Sequence, residues 1–389
     1  MIPLAVPDLS GNEGRYLQEC VDSTYVSSVG PFVERFEKMV ADACGTDEAV
    51  ATASGTAALH ISLVALGVGA GDLVLMPALT FIATANAVSY TGARPAFLDV
   101  TGESWTLDPG AVAAFLEEQC APGARGPVHR TTGERVAAIL TVHTLGHPSD
   151  MDALAAVAEK YGLPLVADAA AALGATYRDR PVAATAPLSA ISFNGNKTVT
   201  CGGGGIVTGI DGALLRRIRH LSTTARVGGD YEHDEVGFNY RMTNLQAAVG
   251  CAQMERLDAL VAAKRRIAEG YDAAFADLPA LTRFPCAPWG RSACWFSGVV
   301  VGDGAPLDAA ALVARLVEAG IGARRFWKPM HRQAPYRESP RRPLPVTDGL
   351  WERVVTLPCS TGLGQADRDY VIETVRAAFA RNAATPRRA

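Results

Sequence analysis

Short, unbroken apolar runs punctuate the first half of the chain: Leu73–Met76, Ala96–Val100, Val136–Val142, Leu163–Ala167, Ala190–Phe193 and Gly205–Thr208. Runs this short, without polar alternation, predict strands buried on both faces. Between them, Thr80–Ser89, Pro109–Glu118 and Met151–Tyr161 carry helical spacing. The alternation predicts an α/β fold with a mostly parallel sheet.

The pattern changes near residue 242. Thr243–Ala276 is rich in Ala, Leu, Gln, Glu and Arg with few breakers, and reads as one long helix or two. Beyond it a smaller α+β unit is expected, with a strand at Val299–Val301, helices at Leu307–Ala319 and Asp367–Arg381, a loop at Pro335–Pro345 and a frayed tail at Ala383–Ala389. This divides the chain into a large domain, residues 1–250 with the N-terminal arm included, and a small C-terminal domain, residues 251–389. No internal repeat or low-complexity tract interrupts it.

Bulk composition narrows the function class. The 389 residues carry a formal net charge of −4, which gives no reason to expect nucleic-acid or membrane binding. No apolar run reaches the ~18 residues of a spanning helix, and the N-terminus lacks a basic start and apolar core, so a cytoplasmic location is expected. The cysteines Cys20, Cys44, Cys120, Cys201, Cys251, Cys286, Cys294 and Cys359 form no C-x-x-C pair, which favours reduced thiols over disulfides or zinc. Cys201 follows Lys197 closely, and reads as a small residue in a tight turn.

Three stretches carry candidate chemistry. Ser54-Gly55-Thr56 directly precedes a helical run, where free backbone N–H groups and hydroxyls suit a phosphate; Ser and Thr are also ordinary N-caps. Asp168 ends the run Leu165–Ala167, at the carboxyl end of a strand where open α/β sheets place ligands, or it caps a helix over Ala169–Ala172. Lys197 follows the run Ala190–Phe193 and precedes Gly202–Gly205, which places it at a sheet edge among small residues. A lysine that forms a Schiff base and a carboxylate that holds a ring nitrogen protonated are what pyridoxal 5'-phosphate enzymes require. Asn194–Thr198 lacks the glycines of a nucleotide P-loop, and Gly202–Gly205 lacks dinucleotide-fingerprint spacing. His143 and His147 sit among Gly146 and Pro148 with no acidic or Cys partner at ligand spacing, so no metal site is expected.

Together with Val26–Gly30, Thr80–Val88, Ser192–Lys197, Gly237–Asn244 and Trp327–His331, these stretches resemble the DegT/DnrJ/EryC1/StrS family of pyridoxal-phosphate sugar aminotransferases over nearly the whole chain. The similarity is greatest to the branch acting on nucleotide-linked 4-keto-6-deoxy sugars, of the legionaminic-acid pathway type. The resemblance implies an aspartate-aminotransferase-like fold (PLP fold type I) with a mainly parallel seven-stranded sheet. It also implies roles. Lys197 would bind the cofactor covalently and shuttle a proton, and Asp168 would pair with the ring nitrogen. Gly55, Thr56 and Ser192 would hold the phosphate, Ser54 and Asn194 would also bind the cofactor, and Phe81 would stack on the ring. Asn239 would reach the phosphate from the other subunit of a homodimer with shared active sites. Trp327, Lys328 and His331 would lie near the sugar nucleotide. Ala171 and Leu145 depart from the family pattern, which has Gln, Glu or His and Tyr at these positions; both departures remove polar groups.

The resulting expectation is ping-pong transfer of an amino group from an amino acid, L-glutamate first, to C4 of a nucleotide-linked 4-keto-6-deoxyhexose. A keto-cyclitol or other cyclic-ketone acceptor is an alternative, as is a catalytically silent, regulatory member of the family.

Overall fold

A computed structural model of the protein describes residues 1–380; the expected frayed tail lies outside the described residues. The apolar runs assemble into a mixed nine-stranded sheet. Seven strands form its continuous path, in the order Ala49–Thr52, Gly205–Thr208, Leu188–Ser192, Leu165–Asp168, Arg135–Val142, Asp72–Pro77 and Arg94–Leu98. The short pairs Cys120–Ala121 and Val128–His129 extend it beside Arg135–Val142. Neighbours from Leu188–Ser192 to Arg94–Leu98 pair parallel, whereas Gly205–Thr208 runs antiparallel to both of its neighbours.

Alternation along the strands explains why these runs are apolar throughout. Leu73 and Leu75 point into one core layer, and Val74 and Met76 into the layer on the opposite face. Residues of Pro31–Cys44, Pro109–Gln119, Met151–Tyr161 and Asn244–Met254 pack in the first layer. Gly55–Ala65, Ile82–Tyr90 and Gly212–Ser222 pack in the second. A sheet covered on both faces by helices has no solvated side for polar residues to face.

The long helical stretch is two helices, Asn244–Met254 and Leu257–Phe275. A capping box between Thr243 and Gln246 starts the first. The C-terminal part builds a four-stranded antiparallel sheet, in the order Leu281–Thr282, Ser297–Val301, Val354–Leu357 and Arg324–Arg325. Ala309–Glu318, Gln365–Ala380 and the end of Leu257–Phe275 share its apolar core. The N-terminal arm joins this unit: Ile2 bridges Ile321, and the Cys359 N–H donates to the Leu4 carbonyl at 2.8 Å. The Pro335–Pro345 loop carries one 3-10 turn, Ala334–Tyr336, and leads into the short helix Pro345–Leu350. No helix among the described residues is long and apolar enough to cross a membrane.

One buried carboxylate ties the main sheet to this C-terminal segment. Asp99, just beyond the strand Arg94–Leu98, accepts from the N–H groups of Val100, Val346 and Thr347, each at 2.9 Å, and from the Thr347 hydroxyl at 2.6 Å. Asp99→Ala strands these buried donors and is expected to cost about 3 kcal/mol of stability, read from urea unfolding; an unchanged unfolding midpoint would contradict this anchoring role.

Candidate active site

The strand ends collect the candidate residues at one place. Asp72–Pro77 leads to Thr80, Phe81 and Thr84; Arg135–Val142 leads to His143 and Leu145; Leu165–Asp168 ends at Asp168; Leu188–Ser192 ends at Ser192 and leads to Asn194 and Lys197. All of these residues line one cavity of about 580 Å³, which Trp295, Phe296, Arg324, Arg325, Phe326 and Trp327 of the C-terminal part help to close. The carboxyl ends of parallel strands are where an open sheet leaves a crevice.

One end of the cavity is a helix N-terminus. Ala49–Thr52 leads into the helix Gly55–Ala65, and Ser54, Gly55 and Thr56 all line the cavity. Ser54 is a true N-cap, its Oγ accepting from the Ala57 N–H at 3.1 Å. It is at once cap and cavity wall, so the two readings of its sequence coexist. A Cβ on Gly55 would lie 2.7 Å from the Ser192 Cβ, so only glycine lets the helix start this close to Ser192. First-turn N–H groups and the helix dipole favour an anion there.

Asp168 is the last residue of its strand, in register with Val142 on one side and Ala190 on the other. The alanines after it form turns rather than a helix, so Asp168 is not a helix cap. Its carboxylate accepts from the Thr84 hydroxyl at 2.7 Å and the Ala170 N–H at 3.0 Å. Thr84 is in turn held by Thr80 at 2.8 Å. Burial raises the Asp168 pKa above the ordinary carboxylate range, opposed by these two hydrogen bonds and by the charge of Lys197.

Lys197 lies beyond the end of an interior strand, not at a lateral edge of the sheet as its neighbouring glycines suggested. The half-buried amine is 3.4 Å from the centroid of the Trp295 ring. Burial pulls its pKa down to about 7; the Asp168 charge works against that shift and the buried Lys264 charge with it. The indole face also favours the cation, so desolvation is the effect that frees the amine near neutrality. No ion pair joins Lys197 to Asp168, and both line the cavity.

His143 is a site residue that its sequence context did not reveal. Its Nδ1 accepts from the Ser149 N–H at 3.1 Å, which puts the proton of the neutral ring on Nε2. Nε2 is buried without a hydrogen-bond partner, and His143 lines the cavity. Burial pushes the His143 pKa down to about 3, so the ring stays neutral and Nε2 remains a donor. His147 takes another path: its Nε2 accepts from the Ala287 N–H at 3.2 Å.

The remaining candidates divide. Phe81 is 53% exposed, opening onto the cavity, and its ring centroid lies 5.7 Å from that of Trp327. Leu145 and Ala171 pack with Trp105, Trp295, Phe326 and Trp327 in an apolar cluster. Leu145 does so from a left-handed backbone, φ 57°, a conformation costly for a branched side chain. Lys328 and His331 do not line the cavity; they line an adjoining cleft. Asn239 is exposed in the loop after Glu232–His233 and does not line the cavity of its own protomer. Cys201 is buried and does not line it either.

The donor set fits a ring cofactor that carries a phosphate and a carbonyl: a helix N-terminus for the phosphate, an unpartnered His143 N–H, the Asp168 carboxylate, and an amine whose pKa burial brings down to about 7. Such a set on a mainly parallel sheet defines an enzyme of amino-group chemistry. The comparisons agree. Residues 7–376 match the model of the DegT/DnrJ/EryC1/StrS aminotransferase family, and the chain belongs to that family. It is 39% identical over 373 residues to a GDP-perosamine synthase of Caulobacter vibrioides, covering 95% of this chain and 96% of that one. A GDP-perosamine synthase of Escherichia coli O157:H7 is 32% identical, over 96% and 97% of the two chains. The aminotransferase TlmJ of Streptoalloteichus hindustanus superposes with a TM-score of 0.88 at 28% identity, over 99% and 100% of the chains. DesI, solved in the presence of its TDP-sugar product, superposes at 0.85 with 30% identity over 98% and 93%.

The Lys197 environment gives a titration test. Reductive methylation of the peptide carrying Lys197, followed by mass spectrometry across pH, should show a midpoint near the value of about 7 set by burial. Asp168→Asn removes the charge that raises this pKa, and should move the midpoint lower still. A midpoint near the ordinary lysine value of 10.5 would contradict the desolvated amine.

Proposed function

We propose that this chain is a pyridoxal-phosphate-dependent aminotransferase. It moves an amino group from an amino acid, L-glutamate first, to a keto sugar carried on a nucleotide, at C4 of a 4-keto-6-deoxyhexose. The observation that carries the reading is that one cavity is lined by Lys197, its pKa pulled down to about 7 by burial, by the buried Asp168 carboxylate and by the helix start Ser54–Thr56. The printed names of relatives, GDP-perosamine synthase and a DesI structure with a TDP-sugar product, support a nucleotide-linked acceptor. We further propose a cytoplasmic homodimer in which Asn239, exposed on its loop, completes the partner's site.

The cofactor, when bound, supplies an aldehyde to hold the amino group and a ring to accept electrons. Gly55, Thr56 and Ser192 would hold its phosphate, with Ser54 and Asn194 beside them, and Phe81 would cover the ring. Asp168 would accept a hydrogen bond from the protonated ring nitrogen and keep its proton there; a carboxylate already bonded to Thr84 and Ala170 needs no rearrangement to do so. Burial that raises the Asp168 pKa in the isolated cavity is opposed once a cation sits against it. His143 Nε2–H donates from the cavity floor. Lys197 Nζ would be the base that carries the proton between the substrate carbon and the cofactor carbon within each half of the reaction. Trp295 lies against that amine, 3.4 Å from ring centroid to Nζ. Arg324 and Arg325 line the cavity without a carboxylate partner among the described residues, and they receive the donor's carboxylates. The apolar Leu145 and Ala171 leave donor selection to these arginines.

Visible absorbance of the protein loaded with pyridoxal phosphate tests the reading. L-glutamate should bleach the band of the lysine-bound form, and Lys197→Ala should lose about 10³-fold or more of turnover while cofactor stays held through its phosphate. A band that no amino acid bleaches, or a Lys197→Ala variant with normal turnover, would overturn the assignment.

A further inference from the structure

Lys264 sits inside the helix Leu257–Phe275 and is only 3% exposed. A buried ammonium ordinarily faces a carboxylate, since desolvating an unpaired charge is costly. Lys264 forms no ion pair among the described residues. Its three donors go instead to the Trp295 carbonyl at 3.0 Å, the Cys359 carbonyl at 2.6 Å and the Cys359 Sγ at 3.7 Å. A neutral amide would serve the two carbonyls at a lower desolvation cost. These bonds alone do not account for a charge at this position.

Trp295 connects that charge to the cavity. Its carbonyl takes the Lys264 bond, and its ring lies 3.4 Å from Lys197 Nζ. The indole N–H donates at 2.8 Å to the carbonyl of Asn196, the residue before Lys197. The Trp295 main-chain N–H donates to the Leu145 carbonyl at 3.1 Å. Cys294, just before it, has a left-handed backbone with φ 52°. A non-glycine residue keeps such a conformation only where its surroundings fix it, and the Lys264 bond is part of that fixing. The other ionisable groups around Lys197 are Asp168, His143, Arg324 and Arg325, which line the same cavity. The Asp168 charge favours the cationic amine, and burial keeps His143 neutral. Arg324 and Arg325 are exposed, where water and salt screen them. Lys264 is buried, so its charge is the cation least screened from Lys197.

We propose that Lys264 is a positioning residue for the reacting amine: it fixes Trp295 so that the indole lies against Lys197 Nζ, and it adds a second buried positive charge near that contact. The proposal rests on the reading of Lys197 as the reacting amine. A like charge nearby favours the free base, the form that attacks a carbonyl or takes a proton. Lys264 does not line the cavity, so it acts through Trp295 and through its charge.

The test is the pH midpoint of the Lys197 nitrogen in the full chain. Reductive methylation with peptide mass spectrometry reads it without cofactor. The visible band of the pyridoxal-phosphate-loaded enzyme, which reports whether that nitrogen carries a proton, reads it with cofactor. Lys264→Met and Lys264→Gln should each raise both midpoints by about one unit. Lys264→Arg keeps the charge and should stay within about half a unit of the unaltered protein. Glutamine retains N–H donors for the two carbonyls, so it serves if the methionine variant folds poorly. A residue that only stabilised the fold would move the urea unfolding midpoint and leave the Lys197 midpoints in place. Unchanged Lys197 midpoints in the methionine and glutamine variants, or an equal rise in the arginine variant, overturn the proposal and leave the role of Lys197 standing. If borohydride reduction of the unaltered, pyridoxal-phosphate-loaded protein puts no adduct on Lys197, the reading of that residue fails and the proposal falls with it.

Discussion

Everything in the cavity depends on keeping one carboxylate and one amine dry without letting them pair. Asp168 and Lys197 issue from adjacent parallel strands, and burial drives both towards their uncharged forms while each pulls the other back. A direct ion pair would lock both charges and remove the nucleophile. The two stay unpaired, and both side chains line the same cavity. The hydrogen bonds from Thr84 and Ala170 fix the acid from behind, and Trp295 fixes the amine from the side.

The sheet makes this arrangement possible. Four of the five neighbouring parallel strands lead into the cavity, and the outer strand Ala49–Thr52, separated by one antiparallel strand, delivers the Ser54–Thr56 helix start there as well. The C-terminal part adds what the sheet cannot: an aromatic cover from Trp295 to Trp327 and the cations of Arg324 and Arg325. Asp99 joins the two, bonding the end of the strand Arg94–Leu98 to the N-terminus of the helix Pro345–Leu350.

The sequence revealed what depends on local pattern. Leu73–Met76 and Val136–Val142 are apolar on both faces because both faces are covered, and they read correctly as buried strands. Ala49–Thr52 escaped, since its alanines carry little strand preference and its partner, Gly205–Thr208, is remote in sequence. Lys197 and Asp168 announced themselves by following apolar runs. His143 did not, because its meaning lies in which ring nitrogen is already occupied by Ser149, and only folded geometry decides that.

The central claim is that Lys197 is the amine the cavity prepares. Lys264 supplies an internal comparison: it is also buried, but its ammonium is tied to the carbonyls of Trp295 and Cys359 at 3.0 Å and 2.6 Å. The most direct measurement is borohydride reduction of the protein mixed with pyridoxal phosphate, followed by digestion and mass spectrometry. The pyridoxyl adduct should appear on the peptide carrying Lys197 and be missing from that carrying Lys264. An adduct on Lys264, or none on Lys197, would contradict the account.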